Sequence, residues 1–186
     1  MLKIFLNLRT TLNNKYIEIL QKLLPKHLSE DIKFIAGESS YRARSLGTSL
    51  LATHKTPVAL VLDADTDNES QIIEKRDLIN YVLRQVSSGI PFQVFLGVPQ
   101  LEIVFLQNKS LIEKIAQRQF NDLEWQLSQS KPKEFLKTVF GKNQQINARI
   151  FSNINDEEIR ILQQHPLIQE IITFLSSLIT SSVVIN

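Results

Sequence analysis

Apolar positions along the chain fall into two rhythms. Between Leu12 and Leu28, the residues Tyr16, Ile17, Ile19, Leu20, Leu23 and Leu24 recur at the spacing of one helix face. Residues 2 to 8 and Lys33 to Ala36 are short apolar runs that read as strands. The second is followed by the turn Gly37-Glu38-Ser39-Ser40 and by a helical pattern through Leu46, Leu50 and Leu51 to His54. The run Val58 to Asp65 (VALVLDAD) is nearly continuous in apolar residues, as expected of a central parallel strand buried on both faces. A helix follows from about Glu69 to Ser87, with Ile72, Ile79, Val82, Leu83 and Val86 as its buried stripe and Ser87-Ser88-Gly89 as its stop. Phe92 to Val98 reads as another strand, which Pro99-Gln100 breaks before a helix that can begin at once at Leu101.

This alternation predicts an α/β fold: a mainly parallel sheet with helices on both faces. From Gln117 onward the pattern contains no strand. Pro132 opens a short helix through Phe140, Asn155-Asp156-Glu157 resembles a helix start, and Pro166 restarts or kinks the chain. The expected division is an α/β unit over residues 1–118, with an N-terminal helix, and a helical extension over residues 119–186 packed on it. In that extension Ile171, Ile172, Phe174, Leu175, Leu178 and Ile179 could cover the sheet, or bind a protein partner or a second copy of the chain.

Composition narrows the function classes. The 186 residues carry 21 Lys and Arg against 19 Asp and Glu, a formal net charge of +2. Any nucleic-acid contact must therefore come from a local basic patch rather than an overall positive field. There is no cysteine, which removes disulfides, zinc-thiolate sites and thiol nucleophiles together. The first residues make a poor secretory signal, and the apolar stretch from Leu167 to Ile185 is broken by Gln169, Glu170 and several Ser and Thr. The expectation is a cytoplasmic protein with no membrane association.

The sharpest chemical signal is Asp63-Ala64-Asp65 at the carboxyl end of the apolar run, with Asp67 just beyond. If the strand continues through them, a spacing of two puts both carboxylates on one face, roughly 6.5–7 Å apart. Hard cations favour such oxygen donors, and ligands of open parallel sheets gather at strand carboxyl ends. Acids after a strand also commonly cap the next helix or sit in a solvated turn. Glu102, in the segment VPQLEIVFL, follows the next strand and should lie near the same end of the sheet. A carboxylate among Leu101, Ile103, Val104 and Phe105 needs a partner, which a Lys or Arg could equally supply.

A short strand with a Gly-bearing turn and helix, a strand ending in D-x-D, and a strand followed by Pro-x-x-Glu together resemble the toprim-like fold of topoisomerases, primases and OLD-type nucleases. The resemblance covers roughly residues 30 to 118. It implies a nucleic-acid phosphodiester as substrate, Mg²⁺ (or Mn²⁺) held by Asp63 and Asp65 with Glu102 as an additional ligand, and a general acid or base after the first strand. The family's first-strand motif is Glu-Gly; FIAGESS puts Ala36 in the place of that Glu and keeps Gly37. Glu38, two positions later, is the available catalytic carboxylate. Without it the domain would bind rather than turn over, either as a metal-dependent nuclease-like protein of low activity or as an inactive scaffold for a protein partner.

Arg42, Arg44 and Lys55 are the candidate phosphate contacts, with Lys75-Arg76 more simply read as a solvated helix face. Ser39 occupies a strand-to-helix turn like that of a hydrolase nucleophile elbow, but Tyr41 stands where a second Gly is needed.

Overall fold

The computed structural model describes residues 2–6, 15–29, 32–37, 39–141 and 146–183. Four parallel strands form its sheet: β1 (Leu2–Leu6), β2 (Ile32–Ala36), β3 (Val58–Asp63) and β4 (Phe92–Gly97), in the order β2-β1-β3-β4. All six residues of β3 are buried, because alternate side chains serve opposite faces. Val58, Leu60 and Leu62 pack with Leu51, Ile79 and Leu83, whereas Ala59 and Val61 join a core containing Leu20, Phe95 and Phe105. The unbroken apolar run of the sequence is thus two interleaved core faces.

The first helical stretch is divided into α1 (Lys15–Leu23) and α2 (Lys26–Ser29). Pro25 is the cause, since it has no N–H to continue the ladder and instead accepts through its carbonyl from Leu28 and Ser29. After β2, Gly37 lies so close to Ala43 that no Cβ could be accommodated, which brings the next helix against the strand end. That helix, α3 (Ser40–Ser49), is capped by the Ser39 hydroxyl, which accepts from the Arg42 N–H, and it passes into a π-helical turn over Leu50–His54. Helix α4 (Glu69–Ser87) starts at Asn68, whose side chain accepts from the Gln71 N–H, and stops at Ser88 and Gly89 with φ of 49° and 83°.

Beyond β4 the chain turns through a cis Val98–Pro99 bond into a 3₁₀ helix, Leu101–Gln107. The helix expected at Leu101 therefore begins as this tighter coil, and the α-helix α5 (Lys109–Ala116) starts only after the Asn108 cap. Helices α6 (Asp122–Ser130), α7 (Pro132–Phe140), α8 (Ile146–Ser152), α9 (Asp156–Gln163) and α10 (Pro166–Val183) complete the fold. Reciprocal capping boxes, Asn121 with Glu124 and Asn155 with Glu158, fix the starts of α6 and α9.

The core does not stop at residue 118. One cluster takes in Tyr16, Leu20, Phe95 and Phe105 together with Leu136, Phe140, Ile150, Leu162, Ile168 and Leu175. Phe95 of β4 meets Phe174 of α10 at 5.9 Å between ring centroids, and Phe105 meets Phe151 of α8 at 5.6 Å. The C-terminal helices so cover one face of the sheet, and α3 with α4 covers the other. Among the described residues no helix is long and apolar enough to cross a membrane.

Candidate acidic site

Strand β3 ends at Asp63, paired in register with Gly97 of β4. Gly97 lets the turn after β4 fold back tightly, for a Cβ there would lie 2.6 Å from the Leu101 nitrogen. That return aims the Leu101 N–H at Asp63 Oδ1, 2.9 Å away, and sets Glu102 beside it. From the other side α1 brings in Tyr16, whose hydroxyl lies 3.2 Å from Asp63 Oδ2 and 3.0 Å from Glu102 Oε2. The three groups are deeply covered, with Asp63 3%, Glu102 0% and Tyr16 5% exposed.

One hydroxyl hydrogen cannot serve both carboxyl groups. For both short contacts to be hydrogen bonds, one acid must carry a proton and donate it to the Tyr16 oxygen while Tyr16 donates to the other. Electrostatics agree with this sharing. Burial, and next the Glu102 carboxylate, push the Asp63 carboxyl up to about 6, against the opposing hydrogen bonds from Leu101 and Tyr16. Burial and then the charges of Glu102 and Asp63 drive the Tyr16 phenol far upward, so it stays a neutral donor.

Asp65 does not extend this cluster. The strand has already ended, and Asp65 takes a left-handed backbone with φ of 62°, its N–H held 2.8 Å from the Pro99 carbonyl. The two-residue period of a strand therefore does not carry to it, and the expectation of two carboxylates on one strand face is corrected on this point. Its carboxylate turns to Lys75 Nζ at 3.4 Å. The same ammonium donates to the carbonyls of Asp63 at 2.8 Å and Ala64 at 2.9 Å, tying α4 to the end of β3. Among the described residues no three metal-binding side chains gather in one group.

The remaining expected residues separate. Glu38 lies outside the described residues. The strand that precedes it, β2, is not next to β3, because β1 lies between them. Two strand spacings, roughly 10 Å, thus separate the end of β2 from Asp63. The strand that does neighbour β3 leads into residues 7–14, NLRTTLNN, which contain no acid. Arg42 and Arg44 sit in the first turns of α3, at the carboxyl edge of the sheet, where Arg44 Nε donates to the Ser40 carbonyl at 3.3 Å. Lys55 does not join them. It closes the π-helical turn with φ of 47°, three residues before β3 begins, and the length of β3, roughly 16 Å, stands between it and Asp63. Ser39 acts as a helix cap, its hydroxyl accepting the Arg42 N–H at 3.1 Å.

Tyr16 and Lys75 are the participants that sequence reasoning missed. A tyrosine on a buried helix face has to satisfy its hydroxyl, and the acids that follow the apolar strands of the sequence were the signal available for it. Comparison with protein-family models, with curated proteins and with solved structures finds no match to this chain.

Proposed function

We propose that this chain is a toprim-like protein that takes a divalent cation at Asp63 and Glu102 and, through it, recognises a nucleic-acid phosphodiester with little turnover. The observation that carries this reading is the convergence of two buried carboxyl groups on one hydroxyl at the carboxyl edge of a parallel sheet. The donor chemistry fits a hard cation. Both groups offer carboxylate oxygen, and the burial and then the Glu102 charge that raise Asp63 are what a bound Mg²⁺ or Mn²⁺ would offset. A cation there would supply charge neutralisation for a phosphate. Asp65 stands beside the pair, and Arg42 and Arg44 are the candidate phosphate contacts. Low turnover is read from Ala36 standing where the family's first-strand Glu belongs, since a general acid or base must stand within hydrogen-bond reach of the proton that it moves.

The chain's own groups prepare the pair. Leu101 N–H orients Asp63, Tyr16 holds a proton between the acids, and Lys75 fixes the strand end. These same contacts favour a second reading, an inactive scaffold whose acids are locked internally and which serves a protein partner.

Calorimetric titration of Mg²⁺ and Mn²⁺ into the wild type and an Asp63→Asn/Glu102→Gln variant tests the proposal, with cleavage and binding of plasmid, single-stranded DNA and RNA followed alongside. The cation reading expects binding that the variant loses. It also expects Tyr16→Phe to bind the cation more tightly, because the hydroxyl that occupies the pair is gone. A wild type that binds neither metal nor nucleic acid sinks this reading and leaves the scaffold.

A further inference from the structure

Strand β4 lies at one end of the sheet and, among the described residues, pairs only with β3. In a parallel ladder alternate residues turn their N–H and C=O to opposite sides. The carbonyls of Pro91 and Gly97 accept from the Val58 and Ala64 N–H groups of the β3 chain, so the backbone groups of Phe92, Val94 and Leu96 point away from β3; Leu96 is buried, at 4% exposed, whereas Phe92 and Val94 line a groove at this edge. Among the described residues no hydrogen bond reaches them from that side.

A groove of about 570 Å³ runs along the amino-terminal part of this edge. One wall is a single face of α4, formed by Arg76, Asn80 and Arg84 at successive intervals of four residues, and Glu170 of α10 stands at the opposite rim. Both arginines are exposed, and neither has an ion pair among the described residues. An edge with unmet main-chain groups beside two such guanidinium groups matches one kind of ligand in both respects.

We infer that the open edge of β4 docks an extended acidic peptide, which adds a strand to the sheet and sets its carboxylates on Arg76 and Arg84. The spacing defines the peptide. Eight residues of helix separate the arginines by roughly 12 Å. In a strand, two side chains four residues apart lie on the same face and are separated by roughly 13 Å. The ligand is therefore a segment with Asp or Glu at positions four apart, and a residue of the opposite parity faces Glu170. A nucleic-acid strand lacks the main-chain groups to pair with Phe92 and Val94, and Glu170 repels its phosphates. The docking edge is at the start of β4, whereas Asp63 pairs with Gly97 at its end, so this inference stands apart from the cation site.

Fluorescence anisotropy tests it with four labelled probes: a Val- and Thr-rich peptide with Glu residues four apart, the same composition with Glu residues three apart, a version with Pro at a central position, and oligo-dT. The first peptide is expected to bind, with the other three at least about tenfold weaker, and with Arg76→Glu/Arg84→Glu costing about tenfold or more. Amide exchange at Phe92 and Val94 should slow when it binds. The inference is overturned if the first peptide does not bind, if the four-apart, three-apart and Pro-bearing peptides bind alike, or if oligo-dT binds best.

Discussion

Asp63 has both carboxylate oxygens engaged and shares its surroundings with a second buried acid, so its protonation is coupled to folding. Its value rises from the usual 3.8 to about 6. A folded value above the unfolded one means that the contribution to stability is complete below about pH 3.8 and is lost as pH rises through about 6. The loss is on the order of 2–3 kcal/mol. Glu124 and Glu158, lowered chiefly by the Asn121 N–H and by Lys114 respectively, act in the opposite direction as pH falls. Comparison with Asp63→Asn isolates the one group: melting temperatures measured from pH 4 to 7.5 should show the variant gaining on the wild type as pH rises. A constant difference would mean that Asp63 is not proton-linked. At this scale Asp63 and Glu102 were legible in the sequence, because a carboxylate following an apolar strand has few idle positions. Tyr16 was not, since at helical spacing it reads as one more apolar residue. Asp65 was misplaced by carrying the strand period past the point where the strand ends.

The elements follow local chemistry closely where caps and breakers are strong. Asn68, Asn121 and Asn155 start their helices through side-chain acceptors, and Pro132 sits in the first turn of α7. What local pattern could not supply is the order of strands. β1 is a five-residue run that looks peripheral in sequence, yet it lies between β2 and β3 and moves Gly37 away from the acidic strand. The tight return after β4 was equally hidden, because it depends on Gly97 meeting the Leu101 backbone rather than on a turn signature. Gly97→Ala is expected to cost about 2–3 kcal/mol in urea denaturation, as the new Cβ would have to displace main-chain atoms. The same change pulls the Leu101 N–H from Asp63, so it should also weaken cation binding. A fully stable Gly97→Ala protein would show that the return is not tight.

Across the whole molecule one core joins both ends of the sequence. Leu20 and Leu23 of α1, Phe95 of β4 and Leu175 of α10 belong to the same cluster, and Gln163 Nε2 donates to the Leu23 carbonyl at 3.0 Å. A chain ending at residue 118 would leave the Phe95 face of the sheet uncovered. It should lack a cooperative thermal transition and bind a hydrophobic dye, whereas a sharp transition would show that the α/β unit is self-sufficient. The change from alternating strands and helices to helices alone after β4 was visible in the sequence. The shared core was not, because long-range packing leaves no local trace. The central claim, that the two buried acids exchange their shared proton for a cation, is tested most directly by titrating Mg²⁺ calorimetrically at about pH 6 in two buffers of different ionisation enthalpy. Expected is saturable binding with an apparent enthalpy that changes with the buffer, reporting proton release, and no binding in Asp63→Asn/Glu102→Gln. Buffer-independent heat, or no heat in the wild type, would contradict it.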